Sequence, residues 1–158
     1  MLSFQYIGII SSPYSRVEGM PIQTAGAEGQ EGVAEIFPEF LPGLRDIEGF
    51  SHIILIYHLH RTTGARLEVV PFLDDRTHGI FATRSPSRPN PIGISVVRLL
   101  SVEGARLRFA NPDMLDGTPL LDIKPYVTRF DRADPDREGW FSGKSSKASM
   151  VFSDERFS

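Results

Sequence analysis

The length, composition and charge of the chain limit both its architecture and its chemistry. It has 158 residues, of which 41% are hydrophobic, and a formal net charge of −3 at pH 7. This length can bury one substantial core, so we expect one domain over residues 1–128 and a C-terminal tail over residues 129–158. The absence of cysteine excludes disulfides and cysteine nucleophiles, and the lack of an export leader or a membrane-length apolar stretch makes the cytoplasm the expected location. A negative net charge argues against a protein that coats nucleic acid, because such proteins need a broad basic face. It is compatible with a local basic patch.

Strand signals recur at short intervals, and no segment has the length and periodicity of a long helix. The predicted strands are residues 4–10, 32–37, 51–60, 66–70, 79–83, 92–100 and 106–109, followed by one that begins at Leu121. Residues 51–60 are apolar on both faces, which predicts a central strand. The pattern indicates a mainly β fold: a compact, mostly antiparallel β-barrel with few short helices. In the polar tail, Trp140 and Phe141 have the character of an apolar anchor.

A proline-rich segment over residues 81–95 carries two arginines, Arg84 and Arg88. Three prolines restrict the backbone there, so the guanidinium groups are presented with little conformational entropy left to lose. From Thr83 to Arg98 the chain has three arginines and no acidic residue. The segment therefore predicts a site for an anionic or nucleotide-like ligand; the alternative is a rigid connection with solvated arginines.

The strand that follows this segment has an unusual pattern. Residues 92–96 are aliphatic on one face and carry only Gly93 and Ser95 on the other. Small residues allow a ligand to approach the backbone closely, and the apolar phase slips at Val97, which predicts a bulge.

Two further groups of polar residues have the composition of reactive sites. Asp113 and Asp116 precede a turn at Gly117, and are either structural or functional. His58 and His60 are two apart on the predicted central strand and share a face, but no third metal ligand is evident, so we expect no metal. Without a nucleophile elbow or a P-loop, the chemistry fits a binding module or a group transfer in which a cofactor carries the reactive atom.

Residues 81–95 and 113–126, with Gly49-Phe50-Ser51-His52 and the N-terminal Ile7-Gly8-Ile9-Ile10-x-Ser12-Pro13, closely resemble the TsaA/TrmO family of S-adenosylmethionine-dependent tRNA methyltransferases. The resemblance extends from about Gln5 to Tyr126. It implies a barrel unlike the Rossmann methyltransferases, S-adenosyl-L-methionine as cofactor, a homodimer, and tRNA as partner. The implied reaction is methylation of N6 of N6-threonylcarbamoyladenosine beside the anticodon.

The same resemblance implies roles for individual residues. The implied cofactor contacts are Thr24, Ala25, Gly26, His60, Arg61, Arg84, Ile94, Met114, Leu115, Asp116 and Gly117. The chain has Pro21-Ile22-Gln23 where many members have Pro-Arg-Gln, so one arginine is absent. Two alternatives stay open: a methyltransferase of the same fold that acts on a small molecule, and a non-catalytic nucleotide-binding barrel.

The implied acceptor nitrogen resembles that of a urea and is a poor nucleophile while it keeps its proton. A general base is therefore expected, and the candidate catalytic residues are Asp113, Asp116 and His60. For the substrate we predict contacts from Arg88, which suits the threonyl carboxylate, and from Lys124.

Overall fold

Six antiparallel strands close into a barrel in the order β1-β2-β7-β6-β3-β8, in a computed structural model that describes residues 1–16 and 29–143. The expected mainly β barrel is confirmed. The barrel strands are β1 (Gly8–Ser11), β2 (Glu31–Ile36), β3 (His52–His58), β6 (Ile92–Glu103), β7 (Arg106–Ala110) and β8 (Thr118–Pro125). A separate two-stranded sheet pairs β4 (Glu68–Val69) with β5 (His78–Gly79).

The barrel interior is filled by alternate residues of each strand. In β3, Ile53, Leu55 and Tyr57 are buried, while the residues between them are half-buried on the outside. Each fully buried aliphatic side chain of this kind contributes about 1.5–3 kcal/mol. Phe109 and Leu120 complete the centre of the core from β7 and β8. Hydrophobic alternation on antiparallel strands thus produces the closed barrel.

Several predicted strands are shorter in the structure. Strand β1 begins at Gly8 instead of residue 4, and residues 80–82 form a 3-10 turn where the prediction continued a strand. Strand β3 ends at His58, so the shared-face argument does not reach His60, which lies in the following turn. The other short helices are Pro38–Leu44, Ile47–Gly49, α1 (Thr128–Asp131) and Gly139–Phe141. None of the helices in the described ranges is long and apolar enough to span a membrane.

The first residues of strand β6 turn Gly93 and Ser95 inward and Ile92, Ile94 and Val96 outward. We predicted that a ligand would approach the face carrying Gly93 and Ser95. Instead the Tyr57 ring from β3 lies over Gly93, and a Cβ at that position would overlap the ring. The predicted slip at Val97 is also misplaced, because Val97 keeps the inward face and the pairing of β6 with β7 shifts at residues 99–101.

The strand directions bring three loops to one end of the barrel. Strands β1, β3 and β7 end there, and β2, β6 and β8 begin there. The described connecting residues there are 12–16, 29–30, 59–91 and 111–117, and we call this the loop-rich end. The opposite end is closed mainly by the 3-10 helices between β2 and β3 and by the tight β6–β7 hairpin.

Candidate functional site

The loop-rich end collects most of the residues that the sequence predicted for a site. The predicted residues located on its described loops are His60, Arg61, Arg84, Arg88, Asp113, Met114, Leu115, Asp116 and Gly117. Ile94 lies on β6 close to this end, with its side chain outside the barrel and 54% exposed. The predicted residues Thr24, Ala25 and Gly26 lie outside the described ranges. Loop 59–91 carries five arginines and three acidic residues, a local excess of positive charge on an acidic chain.

Lys124 is the predicted residue that the fold places elsewhere. It lies near the far end of β8, opposite Ile54, and pairs with Asp122 at 3.0 Å on the outer surface. A strand residue six positions from Thr118 is about 20 Å away along the barrel. A direct contact between Lys124 and a substrate at the loop-rich end is therefore not supported by this geometry.

The loop 111–117 is held by the end of β1. The Ser12 hydroxyl donates to the Met114 carbonyl at 2.6 Å, and the Ser12 backbone N–H donates to the Asp116 carboxylate at 3.1 Å. The Asp116 N–H in turn donates to the Tyr14 carbonyl at 2.7 Å. Gly117 has a positive φ of 80°, which closes the turn. The Asp116 side chain is exposed. The side chains of Met114 and Leu115 are buried, so their contacts with a bound molecule would be made mainly by backbone.

Asp113 is the member of this loop that connects to the barrel interior. Its carboxylate accepts a hydrogen bond from the Ser95 hydroxyl at 2.6 Å, and Ser95 Oγ lies 2.8 Å from the Tyr57 hydroxyl. Burial raises the pKa of Tyr57, and the Asp113 charge raises it further. Burial and the same carboxylate also raise the pKa of Tyr14. Asp113 therefore projects a negative charge at the loop-rich end.

The two arginines of the proline-rich loop have different environments. Arg84 is exposed, and it is close enough to Tyr57 for its charge to lower the pKa of that phenol. Arg88 turns back on its own loop, where Nη1 donates to the carbonyls of Ile80, Thr83 and Ser85 at 3.1, 2.7 and 3.2 Å. Arg88 therefore braces the loop that carries Arg84, a role that the sequence did not predict.

The surroundings of His60 favour the neutral form of its ring. Burial lowers its pKa, and the adjacent Arg61 charge lowers it further. At neutral pH the ring is therefore able to accept a proton. His58 instead bonds to the Tyr6 hydroxyl at 2.7 Å on the outside of the barrel. Within residues 1–16 and 29–143, no three His, Asp or Glu side chains are grouped as metal ligands would be.

The described part of the tail contacts loop 59–91. Trp140 stacks on the His78 ring with a centroid distance of 4.5 Å, and its Nε1 donates to the Ala82 carbonyl at 2.7 Å. The Phe141 ring stacks on the Trp140 ring with a centroid distance of 3.9 Å. The tail thus fastens the segment that immediately precedes Arg84.

Replacing Trp140 with Ala is expected to lower the free energy of unfolding by about 1–3 kcal/mol, because it removes a stacked pair and a hydrogen bond. The matched control is Phe130→Ala, also in the tail, whose ring is 77% exposed; it should change stability by less than about 0.5 kcal/mol. Urea denaturation followed by circular dichroism measures both. Equal stability of the two variants would contradict a fastening role for Trp140.

Sequence reasoning missed four residues of this site: Ser12, Tyr14, Tyr57 and Ser95. In the sequence, Tyr57 is one more apolar residue of a strand that is apolar on both faces, so it gave no indication of a role in the site. Ser95 was noted only for its small size. The one available signal was the coincidence of Gly93 and Ser95 on a single face. A small face inside a barrel needs a large partner, and the Tyr57 ring is that partner.

Comparison with known proteins identifies the family. Residues 9–132 match the family model described as tRNA-methyltransferase O N-terminal domain. The chain is 52% identical to a probable S-adenosyl-L-methionine-binding protein of Pyrococcus abyssi, over 99% of this chain and 85% of that protein. It is 34% identical to the tRNA (adenine(37)-N6)-methyltransferase of Escherichia coli, over 97% of this chain and 70% of that protein.

A solved structure agrees with these matches. TrmO from Pseudomonas aeruginosa superimposes with a TM-score of 0.74 and 37% identity, and the alignment covers 89% of this chain and 62% of that one. The resemblance predicted from the motifs is therefore confirmed. The chain belongs to the family of the tRNA-methyltransferase O N-terminal domain.

Proposed function

We propose that this protein transfers a methyl group from S-adenosyl-L-methionine to N6 of N6-threonylcarbamoyladenosine beside the anticodon of tRNA. Family membership makes the protein a methyltransferase, and relatives named as S-adenosylmethionine-binding or S-adenosylmethionine-dependent identify the cofactor. The proposal includes the threonylcarbamoyl group on the acceptor. It also includes a location in the cytoplasm, where the tRNA would be found. The observation that carries it is the Asp113 carboxylate, held at the mouth of the barrel close to the arginine-bearing loop.

The residues at the loop-rich end fit the cofactor. Arg84 and Asp116 are exposed there and offer a cation and a carboxylate to its carboxylate, amine and hydroxyl groups. The buried Ser85 hydroxyl has no hydrogen-bond partner within the described part of the chain, which is an unused donor beside Arg84. When bound, S-adenosyl-L-methionine supplies a methyl carbon that forms a bond to nitrogen as its bond to sulfur breaks, the electron pair remaining on sulfur. No metal is required for that chemistry.

The chain supplies the proton acceptor and the binding surface. Asp113 accepts the proton of the acceptor N–H, so that the nitrogen lone pair becomes available; Asp116 and His60 are the other candidates for this role. The excess of arginine on loop 59–91 suits an RNA backbone, and an unpaired anticodon-loop base enters a pocket at modest cost. Because Arg88 Nη1 is engaged with three carbonyls, the proposed contact to the threonyl carboxylate would come from its other guanidinium nitrogens.

Methyl incorporation from labelled S-adenosyl-L-methionine tests the proposal. We expect incorporation into tRNA that carries the threonylcarbamoyl group and none into tRNA that lacks it. Equal incorporation into both would contradict the proposed acceptor. Incorporation into a small molecule alone would favour the alternative, a methyltransferase of the same fold that acts on a small molecule. Cofactor binding with no transfer to any acceptor would indicate a non-catalytic barrel. At about 100 times its dissociation constant the cofactor should add about 2.7 kcal/mol to stability, which thermal melts can follow.

We further propose that the protein is a homodimer, formed through the outer face of β3 and β6. Four aliphatic side chains on that face of β6 are 41–54% exposed: Ile92, Ile94, Val96 and Leu100. The half-buried Ile54 and Ile56 of β3 lie beside them, opposite Val96 and Ile94. An apolar face of this kind can pack against the same face of a second copy, as in a two-fold interface.

Val96→Lys is expected to convert a dimer into a monomer, because it places a charge at the centre of this face. Leu41→Lys is the matched control: Leu41 is 37% exposed, close to the 41% of Val96, but lies on the 3-10 helix at the opposite end of the barrel. Sedimentation velocity at micromolar concentration measures both. A monomeric wild-type chain, or dimers for both variants, would overturn this interface.

A further inference from the structure

A chain of hydroxyl groups runs from the buried core to Asp113. An ionised carboxylate only accepts hydrogen bonds, so the single Ser95 hydroxyl proton is directed at Asp113. Ser95 Oγ must then accept from Tyr57, whose hydroxyl lies 2.8 Å away. Ser95 therefore donates to Asp113, and Tyr57 donates toward Ser95 while its hydroxyl also has a direct hydrogen bond with the Asp113 carboxylate.

The fold holds the Tyr57 ring so that its hydroxyl reaches Ser95. Tyr57 lies opposite Gly93 on β6, and the absence of a side chain at Gly93 creates the space that the ring fills. The pairing of β3 with β8 shifts register between Ile56 and Tyr57. Irregularities of this kind re-aim a side chain next to functional sites. Two separate features thus converge on the orientation of one phenol.

We propose that Tyr57 and Ser95 are positioning residues for methyl transfer, which orient the Asp113 carboxylate as it takes the proton from the acceptor nitrogen. This inference rests on the proposed function. In the step, the N–H bond breaks and an O–H bond forms on Asp113. The buried phenol keeps its proton throughout, since burial raises its pKa, and until Asp113 is protonated the carboxylate charge raises it further. The hydroxyl chain therefore does not carry the proton inward, and the proton leaves Asp113 at the loop-rich end.

Tyr57→Phe keeps the ring over Gly93 and removes only the hydroxyl, so it is the primary test. We expect kcat to fall about tenfold, while KM for tRNA and for S-adenosyl-L-methionine changes less than twofold. Ser95→Ala should have a similar effect. The matched controls are Tyr126→Phe and Ser101→Ala, at sites remote from the loop-rich end; both should keep wild-type kinetics.

A double-mutant cycle separates positioning from general damage to the barrel. In an Asp113→Asn background, followed by single-turnover kinetics, Tyr57→Phe should lower the rate less than twofold further, because its effect acts through the carboxylate. The same tenfold loss in both backgrounds would overturn the proposal, as would an unchanged kcat in Tyr57→Phe.

A readout without turnover distinguishes this inference from the proposed function. In protein labelled with 13C-tyrosine, the Tyr57 Cζ signal should shift in both Ser95→Ala and Asp113→Asn, and an unmoved signal would overturn the hydroxyl chain. If that signal shifts as expected but the wild-type enzyme does not methylate threonylcarbamoylated tRNA, the proposed function fails, and with it the positioning role of Tyr57 and Ser95 in methyl transfer.

Discussion

Asp113→Asn is expected to lower kcat for tRNA methylation about 10²- to 10⁴-fold, the range associated with the loss of a positioned general base. The substitution is isosteric, and the amide still accepts the hydrogen bond from Ser95 through its oxygen. Cofactor affinity should therefore change only a few-fold. Labelled-methyl kinetics give the first quantity, and calorimetry with S-adenosyl-L-methionine gives the second.

The matched control is Asp122→Asn, on the outer surface of β8, where the carboxylate pairs with Lys124. Exposed ion pairs contribute little, so this variant should keep wild-type activity and stability within about 1 kcal/mol. Asp116→Asn and His60→Gln test the other candidates for the base. A near-normal kcat in Asp113→Asn, together with a loss of 10² or more in one of these two, would transfer the role to that residue.

The barrel could be predicted from the sequence because its signals are local. The apolar run in residues 51–60 and the turn at Asp116-Gly117 need no knowledge of distant partners. The loop positions of Arg84 and Asp113 followed from the same signals, and strand direction then brought them to one end. Strand limits were less accurate, because Tyr6 and His60 continue a local pattern although strand pairing begins only after Tyr6 and ends before His60.

The Tyr57–Ser95–Asp113 chain could not be predicted, because it depends on the register between β3 and β6. Tyr57 and Ser95 are 38 residues apart, and Ser95 and Asp113 are 18 apart. A register shifted by one residue would turn Ser95 to the outside of the barrel. The misplacement of Lys124 has a related cause: a motif that is continuous in sequence includes a whole strand, so its two ends lie at opposite ends of the barrel.

The orientation of the Arg88 side chain also could not be predicted from the sequence. The prolines indicate a stiff loop, but they do not show that the chain folds back until one guanidinium nitrogen reaches carbonyls three, five and eight residues earlier. This geometry changes what the two arginine substitutions should do. The sequence alone predicted a division of labour between cofactor and tRNA; the structure predicts a division between ligand contact and loop support.

Arg84→Ala is expected to weaken S-adenosyl-L-methionine binding about 10- to 150-fold, the equivalent of one charge-assisted contact of about 1.5–3 kcal/mol. Because the Arg84 side chain is exposed, stability in the absence of cofactor should change by less than about 0.5 kcal/mol. Calorimetry and urea denaturation measure the two effects on the same preparation.

Arg88→Ala is expected to weaken cofactor binding as well, but through the loop. It leaves the carbonyls of Ile80, Thr83 and Ser85 without their shared donor, so the free energy of unfolding should fall by about 1.5–3 kcal/mol. The diagnostic difference is therefore that both variants bind cofactor poorly but only Arg88→Ala is destabilised. If Arg88→Ala instead keeps normal stability and cofactor affinity and loses only the use of threonylcarbamoylated tRNA, its guanidinium contacts the substrate directly and the loop-support role is wrong.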